Sequence, residues 1–177
     1  NLQGECLSTL NRCDKAVELL NRSLKLATTK LPADHPELAQ TYYHLSIATG
    51  KCGRKIDDAI RLLNKSIAIK EKLYGTASLE IAYDYTFMGY LYDNKEQSDS
   101  ALTFLNKAFA IREKKLPPYD VEVAYTLHNF AQVYENQSKL NKSLKNHLRA
   151  LEIRRAKLGD AHLSTLHSIN AIGSVYR

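Results

Sequence analysis

One ten-residue pattern recurs along this chain at an almost constant interval. It reads SLKLATTKLP at 23–32, SIAIKEKLYG at 66–75, AFAIREKKLP at 108–117 and ALEIRRAKLG at 150–159. The steps between the copies are 43, 42 and 42 residues. Self-similarity at a period of about 20–50 residues is typical of solenoid proteins, in which each repeat is one supersecondary unit. The sequence therefore predicts stacked, similar units that share a continuous core.

Small and aromatic residues keep the same period. A small residue follows each short turn, at Ala16, Ala59, Ala101 and Ser143. In the later copies a glycine or alanine stands three residues before a tyrosine, as in Gly89 and Tyr92, Ala131 and Tyr134, and Gly173 and Tyr176. Gly4 and Ser46 hold the small position in the two earlier copies. We expect the small residues to lie where two helices approach closely and the tyrosines to pack in the core.

Each period contains two helical patterns. Apolar residues in 101–111 and again in 121–137 recur at the spacing of one helix face. With only 7 Gly and 4 Pro in 177 residues, long helices joined by short loops are favoured. In the repeated pattern we expect Ile and Leu to pack, and Lys, Arg and Glu to face water. The predicted helices are 1–12, 14–30, 36–50, 55–73, 78–94, 98–115, 119–136, 140–157 and 162–176.

These positions resemble the tetratricopeptide repeat, with small residues at Gly89, Ala101 and Ala108 and large ones at Tyr92 and Leu105. The 42-residue version, with ALEIRRAKLG and DHPELA, is similar to the repeats of kinesin light chain. Each of TLHNFA at 126–131 and SINAIG at 168–173 keeps one Asn of that family's TLNNLA, and the two earlier copies keep neither. The resemblance implies an all-α, right-handed α-solenoid of stacked antiparallel helix hairpins.

The pattern also bears on domain organisation. We expect residues 1–177 to form a single array of about four repeats with truncated ends. Helical patterns are already under way at Asn1 and are unfinished at AIGSVYR, so we expect a fragment of a longer protein.

The sequence offers no motif for catalysis, a cofactor or a metal. It has no HExxH, no His-x-x-x-His pair, no CxxC and no glycine-rich phosphate loop. His35 and His162 stand in loops between helices, where we expect capping or turn roles. We predict no enzymatic activity, no cofactor and no metal site.

Cysteine usage and hydropathy bear on the compartment. Cys6, Cys13 and Cys52 are an odd number, for which we expect buried or idle thiols in a reducing compartment. No run of 18 apolar residues exists, so no transmembrane segment is predicted. We expect a cytoplasmic protein.

Binding is the favoured function. In stacked hairpins the first helix of each repeat lines a concave groove, where tyrosine rings and amides suit an extended peptide. Simple core packing is the alternative explanation of the aromatic residues. The predicted peptide-binding groove residues are Tyr43, His44, Ile47, Tyr83, Thr86, Tyr90, Tyr125, His128, Asn129, Gln132 and Asn170.

Positive charge is concentrated in 139–157, which has seven Lys or Arg and one Glu, an excess equal to the net charge of +6 for the whole chain. The predicted basic patch comprises Lys142, Lys145, Arg149, Arg154 and Arg155. Such a run is usually a solvated helix face. The alternative is docking of an acidic protein, a phospholipid surface or nucleic acid. The helix lacks aromatic residues, which argues against base stacking.

The sequence thus predicts a non-catalytic protein–protein interaction module, a scaffold or adaptor that binds a short linear segment of a partner protein. The resemblance to kinesin light chain implies such a short linear segment, and acidic segments are among the candidates. The alternative is a structural or oligomerisation segment whose groove or ends pack on its own parent chain or on another copy, by self-association.

Overall fold

The computed structural model describes the backbone of residues 2–52 and 55–177 and the side chains of residues 12–51 and 55–177. Within these ranges every regular element is an α-helix. The eight helices, in chain order, are α1 (Leu2–Lys30), α2 (Pro36–Cys52), α3 (Ile56–Tyr74), α4 (Leu79–Asp93), α5 (Ser98–Lys115), α6 (Val121–Asn136), α7 (Leu140–Leu158) and α8 (Leu163–Val175).

The positions predicted for the seven helices α2 to α8 are confirmed, and their ends differ from the predicted ones by at most two residues. The prediction of separate helices at 1–12 and 14–30 is wrong, because α1 runs through this region without interruption. The expected turn, Asn11-Arg12-Cys13-Asp14, contains neither Gly nor Pro, so nothing in its backbone chemistry stops the helix.

The first helix of each later hairpin begins at the same place in the repeat. Asp120 caps α6 by accepting the backbone N–H of Glu122 at 2.9 Å. His35 and His162 cap α2 and α8 in the same way, each accepting through Nδ1 at 3.1 Å from the backbone N–H two residues on. The capping role predicted for the two histidines is therefore confirmed. Such a bond satisfies an N–H that has no partner inside the helix.

The chain divides into two compact units, unit 1 (residues 1–87) and unit 2 (residues 88–177), and the boundary lies within α4. In unit 1, α1 packs on α2 and α2 packs on α3. In unit 2, α5 packs on α6, α6 on α7 and α7 on α8. Within each unit, helices that follow one another in the chain are therefore neighbours in space, as hairpins stacked in chain order require.

Each unit has its own apolar core. In unit 1, one cluster comprises Ala27, Leu38, Ala39 and Ile69. In unit 2, one cluster comprises Ala101, Leu105, Phe130 and Val133, and a second comprises Val123, Ala124, Leu127, Ala150 and Ile153. Ile69, Ile111 and Ile153 of the repeated pattern are buried, which confirms the packing predicted for them. Leu26 and Leu73 of the same pattern are 53% and 39% exposed, so the packing predicted for these two leucines is wrong.

The small residues mark a close helix approach in one copy and not in another. A Cβ added to Gly89 would lie 2.6 Å from Leu105 Cγ and 3.3 Å from the carbonyl oxygen of Ala101. Ala131 is fully buried as well. At Gly173, by contrast, a Cβ would meet no atom within 4 Å. The close approach predicted for Gly173 is wrong, since no described helix covers this face of α8.

The tyrosines at the family core position show the same contrast. Tyr92 stacks on Phe104 with ring centroids 5.4 Å apart, and Tyr134 packs against the first unit 2 cluster. Tyr176 is 72% exposed. Core packing is therefore confirmed for Tyr92 and Tyr134 and is wrong for Tyr176, which lies on the same uncovered helix as Gly173.

Cys13 is disulfide-bonded, so the prediction of a free thiol is wrong for this residue. The spacing of cysteines along the chain does not report which sulfur atoms meet in space, and the sequence could not show this bond. The small position Gly4 and the remaining cysteines, Cys6 and Cys52, lie outside the described side chains. Among the described residues, no helix combines the length and the apolar character needed to cross a membrane.

Candidate functional site

The predicted groove residues of unit 1 lie on α2 and α4, and three of them meet at one cleft. Tyr43, His44 and Tyr83 line an open cleft of about 440 Å³, together with Tyr74 and Gln40. The rings of Tyr43 and His44 meet edge to face, with centroids 5.4 Å apart. Tyr83 is 41% exposed, so part of its ring is available to a ligand. An aromatic wall beside an amide can cover apolar side chains and bond a peptide backbone.

The other two predicted residues of unit 1 do not line this cleft. Ile47 is half-buried on α2. Thr86 is buried, and its hydroxyl donates to the carbonyl oxygen of Ala82 at 2.8 Å within α4. The prediction of Thr86 as an accessible groove residue is therefore wrong, because its side chain is covered and its hydroxyl bonds its own helix.

A buried ion pair lies at the wall of the unit 1 cleft. The Lys70 ammonium donates to Asp84 at 2.9 Å and to the carbonyl oxygen of Glu80 at 3.2 Å, and it lies 4.8 Å from the centroid of the Tyr43 ring. Ser66 Oγ donates to the second carboxylate oxygen of Asp84 at 3.1 Å. Burial raises the pKa of Asp84 to about 6, although the nearby Lys70 charge opposes this shift.

The predicted groove residues of unit 2 lie on α4, α6 and α8, and their exposure varies. Tyr125 is 40% exposed, Gln132 and Asn170 are exposed, and Tyr90 is half-buried. Asn129 is only 5% exposed, and its Nδ2 donates to the carbonyl oxygen of Tyr125 at 2.8 Å. The amide nitrogen of Asn129 is therefore already engaged by its own helix.

His128 belongs to a histidine cluster on α6 and α7. Its ring lies 5.2 Å from the ring of His147, which is buried and contacts Glu135 through Nε2 at 2.7 Å. Burial and, to a smaller extent, the positive charge of Arg154 together lower the pKa of His128 to about 4. His128 is therefore neutral at pH 7, and its Nδ1 is buried without a hydrogen-bond partner among the described residues.

The repeated pattern carries a buried cation that amphipathic spacing did not reveal. Lys70, Arg112 and Arg154 hold the same repeat position, and all three are buried, so the prediction that they face water is wrong. Each bonds a polar side chain 14 residues on, in the first helix of the next hairpin. The acceptors, Asp84, Thr126 and Ser168, recur at the same 42-residue step, which is the sequence signal that would have shown the contact.

The three copies differ in how the buried charge is balanced. Arg112 donates to Thr126 at 2.6 Å and to the Glu122 carboxylate at 2.8 Å. Arg154 donates to Ser168 at 2.6 Å and to the carbonyl oxygen of Ser164 at 3.4 Å, and no described carboxylate pairs with it. Its Nε is buried, and no described residue accepts a hydrogen bond from it.

The predicted basic patch is divided by the structure. Arg154 is 6% exposed, so its assignment to an exposed patch is wrong: its face of α7 packs against α8. Arg155 is exposed and pairs with Asp160. Lys142, Lys145 and Arg149 are exposed and lie together at a cleft between α5 and α7. Across the described part of the chain, no group of three or more His, Cys, Asp or Glu side chains could hold a metal ion.

Comparisons with known proteins identify the repeats. Residues 85–115 and residues 122–177 each match a tetratricopeptide repeat family model. A solved variant of a kinesin light chain of Podosopora anserina with nearly identical TPR-like repeats has a TM-score of 0.75 and 19% identity, covering 98% of this chain and 82% of that chain. BtubC (BKLC) of P. vanneervenii has a TM-score of 0.78 and 20% identity, covering 93% of this chain and 65% of that chain.

These likenesses show the fold, an all-α solenoid of helical hairpins, and they confirm the predicted fold class. No curated protein sequence matches the chain significantly.

Proposed function

We propose that this chain, a tetratricopeptide-repeat protein with repeats like those of kinesin light chain, is a non-catalytic interaction module that binds an extended segment of a partner protein along its first helices. The role would be that of a scaffold or adaptor. The observation that carries the proposal is the unit 1 cleft, where Tyr43, Tyr74 and Tyr83 surround about 440 Å³ of open space.

The chemistry of this cleft indicates what kind of segment it fits. Tyrosine rings cover apolar or proline side chains, while Gln40 and tyrosine hydroxyls can bond peptide groups. Lys70 is buried and committed to Asp84, so it is not offered to a ligand. The exposed carboxylate at the cleft is Glu80. We therefore propose an uncharged or weakly basic segment at this cleft, and not an acidic one.

In unit 2 we propose that Tyr125, Gln132 and Asn170 supply the exposed contacts of the same kind. Asn129 would contribute through its Oδ1 or its second N–H, because one N–H of its Nδ2 already bonds the carbonyl oxygen of Tyr125. His128 would add a neutral hydrogen-bonding ring at pH 7.

The test is a peptide-array screen followed by titration of the best hit against single variants. Tyr83→Ala should weaken binding by about 1–2 kcal/mol, the cost of removing an aromatic contact that a ligand covers. Tyr119→Ala is the matched control, because Tyr119 is 51% exposed outside the first-helix face. Far-UV circular dichroism of both variants checks the fold. A hit that ignores Tyr83 and Tyr125 would contradict the proposal.

The alternative has its own signature. Absence of any hit, together with a mass that rises with concentration in analytical ultracentrifugation, would favour a segment that packs on another copy. The single array over residues 1–177 and the longer parent protein stay predictions. The cytoplasmic location is likewise a proposal. The disulfide at Cys13 means that the cysteines no longer support it, because free thiols were expected in a reducing compartment.

A further inference from the structure

Unit 2 contains a cleft that is separate from the predicted groove residues on α4, α6 and α8. It has a volume of about 380 Å³ and lies between α5 and α7, with α6 at its base. The side chains that define it are Phe109, Phe130, Tyr134, Lys142, Lys145 and Arg149. It combines an aromatic base with a basic rim.

The aromatic base is already tightly organised. Phe109 and Phe130 meet edge to face, with centroids 5.9 Å apart. The guanidinium of Arg149 lies 5.5 Å from the centroid of Phe109, and the ammonium of Lys142 lies 5.5 Å from that of Tyr134. Cations therefore cover ring faces that a nucleic-acid base would need for stacking. The surface that is left consists of ring edges and aliphatic stems, which suits a branched aliphatic side chain.

The rim carries an unbalanced positive charge. Lys142, Lys145 and Arg149 follow one another at helical spacing, so they lie on one face of α7. Arg149 is 3.5 Å from Glu113, and both side chains are about half exposed, so this pair is weak. No carboxylate of the described residues pairs with Lys142 or Lys145.

Unit 1 provides an internal comparison at the same place in the fold. A cleft of about 390 Å³ lies there between α1 and α3, lined by residues 84 or 85 positions earlier in the chain. Leu24 replaces Phe109 and Asp58 replaces Lys142. Asp58 forms an ion pair with Arg61, which holds the place of Lys145. Lys65 holds the place of Arg149, so the unit 1 rim keeps basic side chains but also carries a carboxylate. The hairpin packing is thus achieved with an aliphatic base and without a cation at the position of Lys142, so packing does not require the aromatic residues or the charge of Lys142.

We infer that the cleft between α5 and α7 docks an acidic segment of a partner protein, which inserts one branched aliphatic side chain between Phe109 and Tyr134 while its carboxylates contact Lys142, Lys145 and Arg149. Charge complementarity selects this occupant, and attraction between the rim and an acidic segment speeds association at low ionic strength. The site is independent of the first-helix groove.

The probe is a fluorescently labelled peptide with a central Leu flanked on both sides by Glu residues, titrated against the whole chain by fluorescence anisotropy. Lys142→Asp introduces the residue that unit 1 has at the same place, Asp58. It should weaken binding at least about tenfold, because it places a negative charge against the acidic peptide. Lys157→Asp on the same helix makes an equal change in net charge away from the cleft and should have less than about a twofold effect. Replacing the central Leu of the peptide by Ser should also weaken binding at least about fivefold.

Each other outcome overturns the inference. Equal losses for Lys142→Asp and Lys157→Asp would mean attraction to net charge alone. Indifference to the Leu-to-Ser change would mean a surface for any polyanion. Tighter binding to phosphatidylserine vesicles than to the peptide, lost in Lys142→Asp, would assign the surface to membranes. No measurable peptide binding by the folded chain would remove the site, and it would leave the groove proposal unaffected.

Discussion

Replacing Gly89 by Ala isolates the free energy of one helix contact. The added methyl would lie 2.6 Å from Leu105 Cγ and 2.8 Å from Leu105 Cδ2, well inside van der Waals contact. Leu105 is fully buried, so its side chain has little room to move away. Overpacking of this kind costs about 1–3 kcal/mol. Alanine also favours the helix over glycine by about 1 kcal/mol, so the net change should be a loss of about 0–2 kcal/mol.

Gly173→Ala is the matched control, since Gly173 holds the same repeat position two periods later with nothing within 4 Å of the added methyl. It should stabilise the chain by up to about 1 kcal/mol through helix propensity alone. The difference between the two variants therefore isolates the overpacking term of about 1–3 kcal/mol. Urea unfolding followed by circular dichroism gives both values. If the two variants stabilise the protein equally, the close approach of α4 and α5 is refuted.

Three further predictions concern ionisable side chains that are buried or half-buried. Because the pKa of Asp84 is raised to about 6 from 3.8, the folded state binds more protons between those values, and the unfolding free energy should fall as the pH rises through that window. Asp84→Asn should remove this slope in urea unfolding, and an unchanged slope would contradict the assignment. Because the pKa of His128 is lowered to about 4 from 6.5, the unfolded state binds more protons in that interval, and stability should fall as the pH drops from about 6.5 to about 4. The His128 imidazole should titrate near pH 4 by NMR, and a midpoint near 6.5 would show that it is solvated. Arg112→Met should destabilise the protein by about 1–3 kcal/mol, whereas Arg154→Met, at the position without a carboxylate, should be neutral or stabilising; thermal melts compare the two, and equal losses would contradict the reasoning.

Local signals were sufficient to predict most of the fold. The apolar spacing and the prolines act within a few positions, and together with the repeat period of 42 residues they placed α2 to α8 to within two residues. α1 was missed as a single helix because the absence of a stop signal at 11–14 was outweighed by the expectation of a regular hairpin. Gly173 and Tyr176 were misplaced because burial depends on a neighbouring helix, which a residue's own pattern does not report.

The candidate site was predicted less completely because it depends on helix rotation and on partners in other helices. Tyr43, His44 and Tyr83 were brought together as expected. Thr86 and Asn129 are buried instead, and each donates to a backbone carbonyl oxygen of its own helix. The aromatic residues beside Lys142 escaped notice because they come from α5 and α6, and α7 itself contains no Phe, Tyr or Trp.

The buried cations restrict how this chain can gain or lose repeats by recombination. Deleting residues 71–112 would place Thr126 at the position 14 residues after Lys70. The Glu122 carboxylate would remain beside Thr126, as it is in the present chain. Deleting 113–154 instead would give Arg112 only Ser168 and a carbonyl oxygen, the poorer set that Arg154 has now. Two deletions of equal length are therefore unequal in cost. A shortened array designed from this protein should remove the first segment.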